Sequence, residues 1–363
     1  MIRLEAVRSK LALRRFYRFP RKVYRDVPQH RSTEDEVMEM LVERRSAFLE
    51  HASVDPFLLE DGRRVVGRLA LIQDRKNPDY VQVAFFEALP RLRGLLELIL
   101  LKARALHPQC SKIVVGLHGH LNYGAGFLVS PHDLPPVFGL PWTPAYYLDY
   151  FEDLERRDMV SFRFDNDSFY KLEAQVSPHL DLGGIAIRTM DRSQLAREVD
   201  LYTTLNNACF QRHPYWADRT TTEDWELFHP FRFLLKEENL IFAEEHGKPV
   251  GFLLWYPDYN ELVRGDEPLG LRHVARYHLR NPIESVRLTE IAVHPKCRNR
   301  GVVPGMIMQM IRSVQAGGYD FTEGGFIFEE NKDSMGMTLR YLAKAFGKEL
   351  EPTRRYCVFD GEI

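Results

Sequence analysis

The stretch from Glu290 to Met306, EIAVHPKCRNRGVVPGM, limits what this chain can fold into more than any other segment. Ile291 and Val293 alternate with Ala292 and His294 as in a strand, and Pro295 ends it. Arg298, Arg300 and Gly301 then lead into VVPGMIMQMIRSV, where Pro304 suits a first helical turn. The first backbone N–H groups of a helix have no internal partner, and the helix dipole adds partial positive charge there. A strand running through a basic, glycine-containing turn into a helix is therefore an anion site in outline, and a pyrophosphate fits it.

The elements around it are legible in order. GIAIRTMD is a strand, SQLAREVDLYTTLNNACF a helix with Ser193 as its expected N-cap, and TTEDWELFHPFRFLL a second helical stretch interrupted near Pro230. NLIFAEEHGKPVGFLLWYPD is a hairpin turning at HGKP, residues 259–285 form an irregular basic insertion, and VRLTEIAVHP is the strand that enters the turn. After the helix come the strand GGFIFEEN, the helix KDSMGMTLRYLAKAF and a final strand, RRYCVFDGE. In the first half FLLEDGRRVVGRLALIQD is a hairpin with Asp61 and Gly62 at its turn. VQVAFFEALP is a strand, RLRGLLELILLKARAL an amphipathic helix and SKIVVGLHG a further strand. Asn122, Gly124 and Gly126 in GLHGHLNYGAG are expected in turns. A chain of 363 residues is about two domains by size, and the pattern is that of an α/β (α+β) mixed sheet repeated twice, with domains at 1–175 and 176–363.

The run Val293, Pro295, Arg298, Gly301 resembles the cofactor motif of the GNAT superfamily, the acyl-CoA-dependent N-acyltransferases. That pattern is an Arg or Gln, two residues, Gly, one residue, then Gly or Ala; here the last small position is Val303. The whole chain is similar to bacterial tandem GNAT-like proteins of largely unassigned function, through FYRFPRKVYRD, VVGRLA, YGAGFLVSPHDLPPV, PAYYLDYFE, WYPDYN and EGGFIFEEN. The resemblance implies two GNAT-like domains in tandem. The first is degenerate, without a recognisable Arg/Gly loop between Ala88 and Leu95, and the second binds acyl-CoA, either acetyl-CoA or a longer chain.

The resemblance also assigns candidate residues. Arg298, Asn299, Arg300, Gly301, Val302 and Val303 would hold the pyrophosphate. Asn331 would meet the pantetheine arm, as would the backbone of Ile291 and Val293. Amide formation from a thioester needs a neutral amine, a polarised carbonyl and a proton for the departing thiolate. Glu290 is the expected base, alternatively a structural partner for an arginine. His294 ranks behind it as a proton shuttle. Glu323 and Glu329 are candidates for binding the acceptor amine. The family acid is a Tyr about seven residues after the Asn, a position held here by Thr338; Tyr341, three residues further on the same helical face, is its substitute or else a core residue. Direct attack by the amine needs no cysteine nucleophile.

Composition narrows the partners. Lys+Arg 49 against Asp+Glu 51 gives a net charge of −2, so no global field points to nucleic acid. The four cysteines form no CxxC pair, which indicates a reducing compartment and neither a zinc site nor a disulfide framework. No 18-residue apolar run and no signal-peptide pattern is found, so the expectation is a cytoplasmic protein without a metal. The basic, aromatic segment from Met1 to Arg31 is read first as a solvated face flanking buried aromatics, and second as a peripheral membrane contact. The function expected is acyl transfer from a CoA thioester to an amine, with a lipid-like amine or long acyl chain as one substrate class. The alternatives are aminoacyl transfer of the tandem GNAT-fold type and a non-catalytic acyl-CoA-binding module. Oligomeric state is not legible.

Overall fold

The computed structural model describes residues 2–31, 35–265, 267–298, 301–347 and 350–363, with Tyr341 described by its backbone only. It divides into two compact units. One comprises Met1–Met159, Arg264–Pro268 and Arg354–Ile363; the other comprises Val160–Val263 and Leu269–Thr353. The last strand is counted with the first unit.

In the first unit the chain runs β1 (Ile2–Ala6), α1 (Lys10–Arg18), α2 (Pro20–Val23), α3 (Asp35–Val42), β2 (Ala52–Asp61), β3 (Arg64–Asp74), β4 (Tyr80–Ala88), α4 (Leu95–Leu106), β5 (Lys112–Val115) and β6 (Phe127–Ser130). Strand order is β1-β2-β3-β4-β5, continued by the C-terminal strand described below, which also pairs with β6. The hairpin expected at Asp61 and Gly62 is formed by β2 and β3, and β4 and β5 are parallel neighbours. Leu59, Leu69, Leu71, Val81, Val83, Ile99 and Ile113 are buried and pack α4 on this sheet. The basic N-terminal segment buries Phe16, Phe19 and Tyr24 while Arg14, Arg18, Arg21 and Arg25 face outward or sit at the margin, as amphipathic placement requires.

β7 (Glu155–Asp165) crosses the boundary between the units. The second unit then runs α5 (Asn166–Val176), β8 (Ile185–Thr189), α6 (Leu195–Phe210), α7 (Thr221–Phe228), β9 (Leu240–Glu245), β10 (Lys248–Pro257), α8 (Leu271–Arg280), β11 (Ser285–Val293), α9 (Val302–Ala316), β12 (Phe321–Phe328) and α10 (Lys332–Phe346). Its strand order is β7-β12-β11-β10-β9-β8. The last element, β13 (Arg354–Glu362), pairs with β5 and β6 in the first unit.

Three expectations are corrected here. Residues 259–285 are not irregular: they contain a short 3-10 turn at Tyr259–Leu262 and α8, which buries Tyr277. Ser193 does not cap α6; it lies in a 3-10 turn capped by Asp191, whose carboxylate accepts from Ser193 N at 2.9 Å. Finally, a turn with the Arg-x-Arg-Gly spacing of Arg298 to Gly301 does occur in the first unit, at Arg91, Leu92, Arg93 and Gly94. Gly94 precedes α4 with φ +65° and Gly301 precedes α9 with φ +74°, a left-handed conformation that glycine alone adopts without strain.

Candidate active site

Two breaks in regular pairing shape the middle of the second unit. β11 and β12 run parallel and pair from Ser285↔Phe321 to Leu288↔Gly324 only, although both strands continue. Between β10 and β11 the register shifts so that Leu254 faces Glu290 while Trp255 faces Leu288, which leaves Thr289 as the extra residue of a β-bulge. Past the bulge, Ile291 and Val293 pair with Leu253 and Gly251 of β10 and are not paired with β12, so their backbone groups on that side face the gap between the strands.

Glu290 is the first residue beyond the bulge and is turned toward α6. Tyr202 OH donates to its carboxylate at 2.9 and 3.0 Å, and Asn206 Nδ2 donates to Oε2 at 2.5 Å. Tyr202 and Asn206 are four residues apart on one face of α6, so a single helix supplies both donors. Behind them Arg219 forms a bidentate pair with Asp224, at 2.6 Å from Nε and 3.2 Å from Nη2, and Thr203 Oγ1 adds a donor to Asp224 at 2.7 Å. Arg219 is placed by Asn207, which bonds both its N–H and its carbonyl, immediately before the capping box of Thr220 and Glu223 that starts α7.

Burial raises the Glu290 carboxyl above its ordinary value, and the opposing pull of Arg219 and the two side-chain donors does not cancel it. Burial and the neighbouring Glu290 also push the Tyr202 hydroxyl well up, so it remains a donor. Asn206 Oδ1, on the amide that binds Glu290, and Thr289 Oγ1, on the bulge residue next to it in sequence, are buried and meet no hydrogen-bond partner among the described residues. Orphaned buried acceptors are costly, and a ligand with an N–H or O–H satisfies them.

The remaining sequence candidates separate. Arg298 is exposed, Gly301 caps α9, and Val302 and Val303 open that helix with Val302 buried and Val303 half-buried. Asn299 and Arg300 lie outside the described residues. This arrangement suits a pyrophosphate by its left-handed glycine and helix start, while the Val303 side chain stands where the family pattern has a small residue. His294 accepts from Lys296 N at 3.3 Å and caps the turn of Pro295–Cys297. Asn331 caps α10, accepting from Ser334 N at 3.1 Å. Glu323 is fully buried on β12 and accepts from Ser161 Oγ at 2.7 Å, and Glu329 is exposed in the turn beyond β12. Thr338 lies on α10, as does Tyr341, whose side chain is outside the description. Among the described residues no group of three or more His, Cys, Asp or Glu is arranged to hold a metal, and no helix is long and apolar enough to cross a membrane.

Sequence reasoning named Glu290 but not Tyr202, Asn206, Arg219 and Asp224, which the structure gathers around it. The signal was there: Tyr202 and Asn206 are polar groups on the α6 face that otherwise carries Val199 and Leu205 into the core.

The profile of the Acetyltransferase (GNAT) family matches residues 199–340, a span that includes every member of the Glu290 network and the anion turn. The chain is 23% identical over 320 residues to a bacterial ceramide synthase of Caulobacter vibrioides (strain NA1000 / CB15N), covering 81% of this chain and 82% of that protein. It is 20% identical over 384 residues to protein YghO of Escherichia coli (strain K12), covering 98% and 94%. Among solved structures, a tandem GNAT protein from the clavulanic acid biosynthesis pathway superposes with a TM-score of 0.54 over 100% of this chain and 98% of that one, at 12% identity. The chain thus shares the α/β fold of tandem GNAT proteins, and its similarity to the Acetyltransferase (GNAT) family lies in residues 199–340.

Proposed function

We propose that the protein is an acyl-CoA-dependent N-acyltransferase and that its acceptor is a lipid-like amine. The observation that carries the reading is Glu290: a half-buried carboxylate one residue beyond a β-bulge, held by Tyr202 and Asn206, beside a strand pair that opens toward a glycine-capped helix start. In this reading the α9 start binds the pyrophosphate, and the unpaired backbone of Ile291 and Val293 takes the pantetheine arm. Glu290, directly or through a water, accepts a proton from the amine. The amine nitrogen then bonds to the acyl carbon, the carbon–sulfur bond breaks, and the thiolate leaves and is protonated. Asn206 Oδ1 and Thr289 Oγ1 would accept from the ammonium or a neighbouring hydroxyl of the acceptor. Raising the base by burial suits it to that role, because a carboxylate of ordinary acidity takes a proton from an ammonium less readily.

The lipid-like acceptor rests on the similarity to the Caulobacter protein named a bacterial ceramide synthase, together with the apolar stretches FFEALP and LLELILL. A ligand that binds the folded state raises the melting temperature. Thermal unfolding with CoA, acetyl-CoA and palmitoyl-CoA is the test: the reading expects stabilisation, larger with palmitoyl-CoA, and a smaller effect in Arg298→Ala. No stabilisation by any of the three, with Arg298→Ala behaving like wild type, removes the enzyme reading.

A further inference from the structure

The first unit has its own interrupted strand and its own buried acid. Between Arg68 and Ala70 the register of β3 with β4 slips, from Arg68↔Glu87 to Ala70↔Ala84, and Phe85 at the slip has φ +52°, a left-handed value uncommon for a bulky residue. Glu87 follows this irregularity as Glu290 follows the bulge in β11. Two tyrosine hydroxyls hold its carboxylate, Tyr24 to Oε1 at 3.0 Å and Tyr147 to Oε2 at 2.6 Å. Beside them lies a cavity of about 60 Å³ lined by Tyr24, His30, Arg68, Phe85, His118 and Trp142, among others.

Arg68 is 4% exposed, and its Nε meets no acceptor among the described residues. Its Nη1 donates to Phe16 O at 3.1 Å, and its Nη2 stands 4.0 Å from Glu87 Oε1, beyond hydrogen-bond length. The Nε–Nη2 edge of the guanidinium is the fork that a carboxylate grips with two parallel bonds. The complementary need is for an acceptor and not for a cation, because Glu87 already has a donor on each oxygen. Of the other charged lining residues, Arg31 and Asp35 are of opposite sign, and burial lowers His118 to about 4 and His30 to about 3, so both imidazoles are neutral at pH 7. They are stacked on Phe85 and Tyr24, at 4.7 and 3.6 Å between ring centroids, and give the cavity flat apolar sides.

We propose that this cavity is a second ligand site of the protein and that it takes the carboxylate of a short organic acid, gripped by Arg68. Its volume admits only a few heavy atoms, so a longer acid would enter by its carboxylate end.

Trp142 provides the readout. The full chain labelled with 5-fluorotryptophan, with Trp142→Phe to assign the signal, is titrated with propionate, octanoate, n-propylammonium and propanol and followed by fluorine NMR. Propionate should move the Trp142 resonance saturably, and n-propylammonium and propanol should not. Octanoate binding more tightly than propionate identifies the headgroup of a longer acid, and equal binding identifies a free short acid; both support the site. Arg68→Lys keeps the charge but removes the Nε donor, and should weaken propionate at least tenfold. A resonance unmoved by either acid, a saturable shift with n-propylammonium, or unchanged affinity in folded Arg68→Lys overturns the proposal. The ligand series on the wild-type chain decides even if that variant does not fold.

Discussion

Asn206 Nδ2 donates to Glu290 Oε2 at 2.5 Å, tying α6 to the strand that leads into the anion turn. Tyr202 donates to the same carboxylate from one helical turn earlier. The proton affinity of Glu290 is therefore set by competition: burial raises it, Arg219, Tyr202 and Asn206 lower it, and burial wins. A base of this kind is tuned by its neighbours, which makes their removal informative.

Glu290→Gln keeps the shape of the side chain and removes the base. Turnover should fall by roughly 10²–10⁴-fold, the usual contribution of a positioned general base, while acyl-CoA still raises the melting temperature. Steady-state kinetics beside thermal unfolding separate the two effects. Full turnover at neutral pH would show that the base lies elsewhere.

Tyr202→Phe removes a hydrogen bond that favours the ionised form of Glu290. The Glu290 pKa should therefore rise further, and the ascending limb of kcat/KM against pH should move to higher pH. Activity falls most on the acid side of that limb and least on the plateau. A limb that stays in place or moves down contradicts the assignment of the base.

Gly301→Ala places a Cβ 3.1 Å from the Asp181 carbonyl oxygen in a left-handed residue. Such a backbone costs a residue with a side chain about 1–2 kcal/mol, and the same strain displaces the N–H groups at the start of α9. Both stability and CoA affinity should drop, measured by thermal unfolding and isothermal titration. Unchanged CoA affinity in the folded variant would place the pyrophosphate away from this turn.

Glu87 gives the first unit a pH signature. Burial raises its carboxyl from 4.5 to about 7 against the pull of Arg68, Tyr147 and Tyr24. A raised acid binds its proton more tightly when folded, so its stabilising share is complete below pH 4.5 and lost as pH climbs to 7, about 3 kcal/mol over that window. Denaturant unfolding at several pH values should show this slope in the wild type and a flatter one in Glu87→Gln. Equal slopes in the two proteins would mean that Glu87 titrates at an ordinary value.

Much of this architecture is written in local patterns. The hairpins at Gly62 and at Gly247, the helix opened by Pro304 and the strand entering His294 each follow from turn chemistry and apolar periodicity, which act over a few residues. What escaped were relations across the sheet. The Thr289 bulge leaves no composition mark, since it arises from how β10 and β11 pair. The Glu290–Asn206 contact joins residues 84 positions apart, and no spacing rule spans that distance. β13 reads as a strand in sequence, but its partners β5 and β6 lie in the first half of the chain. The Arg-x-Arg-Gly turn at Gly94 was visible and escaped because its apolar neighbours, Leu92, Leu95 and Leu96, resemble an ordinary helix start.

The most direct test is product formation: the purified chain incubated with palmitoyl-CoA and a long-chain amino alcohol such as sphinganine, with mass spectrometry for the amide and a thiol assay for free CoA. The account predicts amide and CoA appearing in equal amounts in the wild type and nearly none in Glu290→Gln. Binding of acyl-CoA without any amide, across short and long donors and with both lipid-like and polar amines, would contradict it.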